Sequence, residues 1–330
     1  MSARVATVRA HANIALAKYW GKADIARNLP AVPSLSLTLA GMRTTTEVSF
    51  TSELAADELW LSGKRQIGKP LERASKLLSE VRALAGVSSF ARVRSHNDFP
   101  TASGLASSAS GFAALALAAV EAIGLSLPLE RVTALARAAS ASAARSLYGG
   151  YVELLAGAEH ATRVAPPEHW PLTMLVAVTS EAAKDTGSTD GMQHTARTSP
   201  YYASWVSDAP RLFAEVRAAV VARDFERLAP AVEQSALAMH ASMLAASPAL
   251  IYFRPATLAV IETVRDLRRA GIAACFTIDA GPHVKVLVGP QDAATVRARL
   301  AQAPGVLRVL ESAPGPDASV VPQGAPEVSS

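Results

Sequence analysis

The sequence predicts an α+β protein of two domains, on three observations. Antiparallel hairpin patterns and helical patterns follow one another along 330 residues in mixed order, with no internal repeat. That length supports a large core and suggests more than one domain. A stretch near the middle, 184–200 (KDTGSTDGMQHTARTSP), breaks the pattern and is expected to cross between domains. The expected units are 1–183 and 184–312, followed by a Pro-, Ser- and Gly-rich tail, 313–330, expected to be disordered.

Residues 43–50 and 58–62 are β-branched or alternating and read as strands, with a turn at Ser62-Gly63-Lys64. An amphipathic helix follows over 70–85, and 90–94 reads as a strand. The next stretch, 95–120, carries a polar entry with Pro100 and a small-residue loop, Thr101-Ala102-Ser103-Gly104. It opens into a helix over about 104–124, where Leu105, Ala109, Phe112, Leu115 and Ala116 recur at helical spacing. A second helix over 128–146 ends at Gly149-Gly150. Strands fit 151–155 and 172–179. Beyond the break come helices over 200–222, 223–245 and 255–270, then a hairpin of 274–278 with 283–288. A helix over 291–302 and a strand over 305–310 close the pattern.

Half of the residues are hydrophobic and 18% are charged, which excludes a disordered chain. No apolar run reaches membrane-spanning length, and the N-terminal residues lack the apolar core of a signal peptide. The single cysteine, Cys275, excludes an internal disulfide framework and fits a cytoplasmic protein. Its neighbours Ala273, Ala274 and Phe276 place it in a buried strand, as packing. The net charge of +4 comes from scattered basic residues that seldom alternate with aromatics, which argues against a nucleic-acid partner. A basic cleft for a highly anionic small substrate explains the excess as well. The seven histidines show no i,i+4 pair and none lies near Cys275, so no zinc site is expected.

Pro100, Ser103, Gly104, Leu105, Ala106, Ser107 and Ser108 form a candidate phosphate site. Small side chains let an anion approach the free N–H groups and positive dipole end of a helix. A capped core helix is the alternative, and neither the P-loop nor the dinucleotide pattern is present. Asp279 ends an apolar strand before the turn Ala280-Gly281-Pro282. It suits a base facing a hydroxyl, or an Asx turn closing the hairpin. Lys18 stands between Ile14-Ala15-Leu16 and Trp20, an unusual place for a solvated charge, whereas Trp20 itself reads as core packing. Ser142 and Arg145, three apart on a helix, share a face. The guanidinium fork matches a carboxylate bidentately, or Arg145 simply sits at a helix C-terminus. Ser188 caps the following helix or meets phosphate. Asn13 and His240 are candidates that also fit as satisfied core polar groups.

Two segments carry a specific resemblance. Lys18-Tyr19-Trp20-Gly21-Lys22 lies in ANIALAKYWGKAD, and Pro100 to Ala109 matches Pro-x-x-x-Gly-Leu-x-Ser-Ser-Ala. Further matches stand at 145–150, at Gly191-Met192, at 239–241 and at 279–282. Over roughly residues 4 to 310 the chain resembles the diphosphomevalonate decarboxylases of the GHMP kinase superfamily. The resemblance implies that superfamily's two-domain fold, a ribosomal-protein-like N-terminal domain and a ferredoxin-like C-terminal domain with the active site in the cleft between them. It implies ATP-dependent decarboxylation of mevalonate 5-diphosphate to isopentenyl diphosphate, with ATP and Mg²⁺ bound and a homodimer as the common assembly. Asp279 would face the substrate 3-hydroxyl, with Lys18 beside it, and Arg145 would grip the carboxylate. Asn13, Tyr19, Lys22, Ser140 and Ser142 would hold the rest of the substrate. The loop from Pro100 to Ser108, with Ser188, would hold ATP, and the Ser107 hydroxyl would touch Mg²⁺. Departures from the pattern stand at Pro33, Ala139, Ala141, Gly187 and His283. Sister activities on the same scaffold are phosphomevalonate decarboxylation and mevalonate 3-phosphorylation. A non-catalytic RNA-binding protein would show a concentrated basic and aromatic face, which this sequence lacks.

Overall fold

The chain begins with an alternating run in which Ala6, Val8 and Ala10 point one way, so it pairs as a long strand with one face buried. The computed structural model describes residues 4–99, 107–182 and 186–322. In order, the first half holds β1 (Arg4–Ala17), β2 (Lys22–Asp24), β3 (Leu29–Pro30), β4 (Ser34–Thr51), β5 (Glu58–Leu61), β6 (Lys64–Gln66) and α1 (Lys69–Ala85). Then come β7 (Phe90–Asn97), α2 (Ser107–Ile123), α3 (Leu129–Ala139), a 3-10 turn (Ala141–Leu147), β8 (Tyr151–Leu154) and β9 (Thr162–Ala165). The second half holds β10 (Thr173–Val178), α4 (Ser188–Thr198), α5 (Tyr202–Ala222), α6 (Phe225–Leu244) and α7 (Pro255–Arg269). It closes with β11 (Ala274–Ile278), β12 (Val284–Val288), α8 (Ala293–Ala301), β13 (Arg308–Ser312) and β14 (Ser319–Val320).

These elements form two principal sheets. The first has eight strands, with the path β14-β1-β4-β7-β5-β6 and with β8 and β9 branching from β4. β1 and β4 run antiparallel from Arg4↔Phe50 to Ala17↔Leu35, shifting register twice, between His11 and Asn13 and between Ala15 and Ala17. α1, α2 and α3 cover one face around Val8, Val48, Val93, Leu78 and Leu147. α2 is rich in buried alanines (Ala113, Ala114, Ala116, Ala118 and Ala119), which lets it lie close to that sheet. The second sheet is antiparallel, in the order β11-β12-β10-β13. One face packs on α7 and α8 through Val260, Val264, Phe276 and Val296. The other shares a core with the lower half of β1 and β4, where Ile14, Leu16 and Leu37 meet Val176, Val216, Leu228 and Leu287. α5 and α6 contribute to that shared core, so the two sheets are welded through it. Among the described residues no helix is long and apolar enough to cross a membrane.

Four local differences from the sequence reading have physical causes. β1 and the first half of β4 escape the sequence reading: the buried alternation of β1 is carried mostly by small alanines (Ala6, Ala10), and β4 there is buried on both faces, Leu35, Leu37 and Leu39 on one and Ser34, Ser36 and Thr38 on the other. The helix expected over 128–146 stops at Ala139, and Ser140 turns extended (φ −156°, ψ 116°). Side chains take its last carbonyls: Asn28 Nδ2 donates to Arg137 O (2.8 Å) and Arg73 donates to Ala139 O (2.9 Å). Within the described part of the stretch 184–200, residues 188–198 form α4, because Met192 packs with Trp20, Met239 and Met243, which overrides its low propensity.

The fourth difference is the tail, whose described part, 313–322, is ordered. Ala40 N–H donates to Ala313 O (2.9 Å), Gly315 N–H to Thr38 O (2.7 Å) and Gly150 N–H to Gly315 O (2.9 Å). Asp317 accepts from Gly149 N–H at 2.7 Å, and β14 pairs with β1 at the sheet edge. Composition suggested disorder, but backbone pairing rather than side-chain burial holds this segment. A Cβ on Gly149 would fall 2.5 Å from Gly315 O. Gly149→Ala is therefore expected to cost about 1–3 kcal/mol, the range for overpacking, read as a lowered melting temperature.

Candidate active site

The site forms where one strand of each sheet runs out. β1 ends at Ala17, and the Lys18 N–H donates to Ser235 Oγ on α6 (2.9 Å) instead of to a strand neighbour. The Lys18 side chain turns back, giving Nζ–H bonds to Ala15 O (2.9 Å) and Asp279 Oδ1 (2.6 Å). Asp279 follows β11 in a tight turn where Gly281 N–H donates to Asp279 O (2.7 Å). Thr257 and Thr179 hydroxyls both donate to Pro282 O (2.7 and 3.0 Å) and fix that turn. A second ammonium completes the arrangement: Lys285 Nζ lies 3.1 Å from Asp279 Oδ2. The Lys18 side chain is 1% exposed and that of Lys285 is fully buried, while the Asp279 side chain is 26% exposed. The carboxylate is thus the part of this trio that meets solvent.

Electrostatics follow from the geometry. Burial alone would raise the Asp279 pKa, but Lys18 and Lys285 outweigh it and hold the carboxyl well below its usual range. Burial pushes the Lys18 ammonium down to about 8 against the pull of Asp279. Arg145 is likewise pushed down by burial, to about 10, and stays charged. Its Nε donates to Ser36 Oγ (3.0 Å) and a terminal nitrogen to Ser34 Oγ (2.8 Å). These two serines, on the polar face of β4, aim the guanidinium from the 3-10 turn.

Asn13 Nδ2 donates to Ser142 O (3.0 Å) and Ser146 Oγ (2.7 Å), fastening the same turn to β1. Asn13 Oδ1 and the Tyr19 hydroxyl are buried with no protein partner among the described residues. Buried polar atoms are rarely left so, and two of them beside Arg145 fit a polar ligand. Ser140 and Ser142 hydroxyls stand 3.3 Å apart. Lys22, half-buried on β2, has its pKa lowered by burial and by Arg73 of α1, against Asp190 of α4. Ser188 is the first residue of α4, and Ser107 and Ser108 begin α2, whose first turn carries no acidic residue. Pro100, Ser103, Gly104, Leu105 and Ala106 lie outside the described residues.

His240 is 1% exposed, stacks 4.5 Å from the Phe253 ring, and is pushed down to about 3 by burial and Lys18. It is a neutral imidazole in the wall of the site. At the departure His283, Nδ1 accepts the Thr179 N–H (3.1 Å), a bond that an asparagine amide oxygen can also accept. Trp20, 2% exposed, packs with Met192 and Trp205 as core. Cys275 is buried in β11.

Sequence reasoning passed over Lys285, Ser34, Ser36 and Ser235. The first had a readable signal, since a lysine inside the apolar run of β12 needs a buried partner. Ser34 and Ser36 recur at period two between leucines, the pattern of a polar strand face. Ser235 lies in a helix and gave no signal.

Comparison with known proteins bears on this geometry. Residues 10–165 match the diphosphomevalonate decarboxylase-like N-terminal domain, and 174–312 match the mevalonate 5-diphosphate decarboxylase C-terminal domain. The diphosphomevalonate decarboxylase of Eremothecium gossypii is 38% identical over 309 residues, 86% of this chain and 77% of that protein. The crystal structure of mevalonate diphosphate decarboxylase from Staphylococcus aureus superposes with a TM-score of 0.92 at 36% identity, covering 97% of this chain and 98% of that one. The structure of MDDEF in complex with MVAPP, AMPPCP and magnesium gives 0.90 at 37% identity, covering 97% and 99%.

Proposed function

The chain belongs to the diphosphomevalonate decarboxylase family, and from that premise we propose how its residues divide the work. The reaction is the ATP-dependent conversion of mevalonate 5-diphosphate to isopentenyl diphosphate, ADP, phosphate and carbon dioxide, in the mevalonate pathway. The observation that carries the assignment of residues is the Lys18–Asp279 pair, built from both sheets, with the carboxylate as its more exposed member.

Loss of carbon dioxide beside a tertiary alcohol requires the hydroxyl to become a leaving group. Asp279 accepts the hydrogen bond of the 3-hydroxyl, orients its oxygen toward the γ-phosphoryl of ATP and takes its proton as the new O–P bond forms and the bond to ADP breaks. Lys18 keeps Asp279 ionised and faces the negative charge of the transferring group. When the 3-phosphate leaves with the C–O electron pair, the C–C pair of the carboxylate becomes the new double bond and carbon dioxide departs. Arg145 holds that carboxylate in line through its planar fork. Tyr19, Lys22, Ser140 and Ser142 bind the substrate diphosphate, to which the orphaned Tyr19 hydroxyl donates, and Asn13 lines the substrate site with an oxygen that only accepts. The start of α2, with Ser107 and Ser108, and the start of α4, with Ser188, take the phosphates of ATP.

Magnesium fits this donor set. The Ser107 hydroxyl would contribute one protein contact, and the ion supplies charge neutralisation between phosphate oxygens. We also propose a cytoplasmic location, supported by the lone buried Cys275, and a homodimer, to be checked by light scattering.

The assay is mass spectrometry with ATP and Mg²⁺ on mevalonate, its 5-phosphate and its 5-diphosphate separately. Isopentenyl diphosphate from the diphosphate alone is expected. Turnover of the monophosphate only, or a phosphorylated product that keeps its carboxylate, would move the chain to a sister activity. A pH profile adds a second check. Lys18 acts as an ammonium and its pKa is about 8, so kcat/KM is expected to fall above about pH 8 as that proton is lost. Lys18→Met should remove this alkaline limb along with most of the rate.

A further inference from the structure

We propose that Lys285 is a positioning residue for the reaction, holding the second oxygen of Asp279 so that the carboxylate presents one fixed edge to the substrate. The inference rests on the role given to Asp279 above. All five residues of β12 are buried, and the other four are Val284, Val286, Leu287 and Val288. An apolar residue at 285 would suit that strand better than a buried ammonium, which costs stability unless it is paired. Register explains where its charge goes. Lys285 lies opposite Thr277 of β11 on one side and Val176 of β10 on the other. Val176 belongs to the core shared with β1, and Thr277 Oγ1 reaches Ala15 O at 3.4 Å, the carbonyl that also takes Lys18 Nζ. The Lys285 side chain therefore rises on the face toward the end of β1, reaching Asp279 Oδ2 at 3.1 Å and His283 O at 3.4 Å.

The two ammonium groups arrive from different sheets and take different oxygens: Lys18 on Oδ1, Lys285 on Oδ2. One ammonium leaves a carboxylate free to turn about its Cβ–Cγ bond; two fix its plane. The other titratable groups around the trio are His240 from α6, His283 from the β11–β12 turn and Arg145 from the 3-10 turn. Burial keeps both histidines neutral near pH 7, and Arg145 stays charged, so none substitutes for Lys285.

The test compares Lys285→Met, Lys285→Gln, Asp279→Asn and the double variant Asp279→Asn/Lys285→Met. Lys285→Met is expected to lower kcat roughly ten- to hundredfold, the scale of a lost charge-assisted hydrogen bond. The KM for mevalonate 5-diphosphate should move by less than about threefold. Removing one positive charge raises the pKa of Lys18, so the alkaline limb of the kcat/KM profile should slide to higher pH. A purely structural role would lower the amplitude without that slide. In the Asp279→Asn background the same change should add no further loss of kcat, because Lys285 acts through Asp279. Lys285→Gln keeps a donor without the charge; it should show the same slide, and it carries the test if the methionine variant fails to fold. Wild-type kcat with an unmoved profile, or losses that multiply in the double variant, would overturn the proposal. Full activity in Asp279→Asn would instead overturn the role of Asp279 itself.

Discussion

Asp279→Asn is expected to lower kcat by roughly 10²–10⁴-fold, the range for removing a positioned acid–base group, with KM little changed. The amide keeps the shape and one acceptor but loses the charge that, in the proposed role, aligns the substrate hydroxyl. The variant also leaves Lys18 and Lys285 facing each other without their counterion. Breaking a buried pair costs on the order of 3–5 kcal/mol. The cost here should be smaller, because the Asp279 side chain is 26% exposed and Lys18, already held near 8, can shed its proton. The two effects separate experimentally. Denaturant unfolding reports the stability loss, and rapid-quench assays on the folded fraction report the chemical step. Near wild-type turnover from folded Asp279→Asn protein would sink the assignment.

Arg145→Lys preserves charge and discards geometry. One ammonium cannot reproduce a fork aimed by both Ser34 and Ser36 while also presenting a flat pair of donors to a carboxylate. A fall in kcat/KM of about 10–100-fold is expected, the scale of lost charge-assisted hydrogen bonds. Part of the fall should appear as a raised KM for mevalonate 5-diphosphate. An altered melting temperature with unchanged kcat/KM would reduce Arg145 to a structural tie between the 3-10 turn and β4.

The sequence was most legible where a pattern was long or a residue was out of place. The helices after residue 200 and the β11–β12 hairpin stand close to where periodicity put them. Asp279 and Lys18 were recognisable as ionisable residues bordering apolar runs, and the structure joins them at 2.6 Å. Arg145 was flagged for its fork, but the helix assumed to carry it is a 3-10 turn, because side chains from distant Asn28 and Arg73 end α3 at Ala139. Such terminations depend on partners about a hundred and about sixty residues away, which local propensity does not encode. Lys285 illustrates a different loss. Its identity was plain, but its meaning depended on strand register, and register is a property of the assembled sheet. α4 and the ordered tail were hidden because tertiary contacts, not composition, stabilise them.

The pairing of β14 with β1 has a consequence for biosynthesis. Val320 lies beside Val8 and Ser319 beside Arg9, so the last described strand to leave the ribosome completes the sheet begun by the first. Contacts between residues so far apart in the chain carry the loop-closure cost of almost its whole length. Until residues 319–320 are made, the stretch of β1 around Val8 and Arg9 lacks this partner, and an unpaired edge invites association with other chains. A chain truncated before residue 313 should be more prone to aggregate than the 330-residue chain, and chaperone engagement should end only once residues 313–322 have emerged.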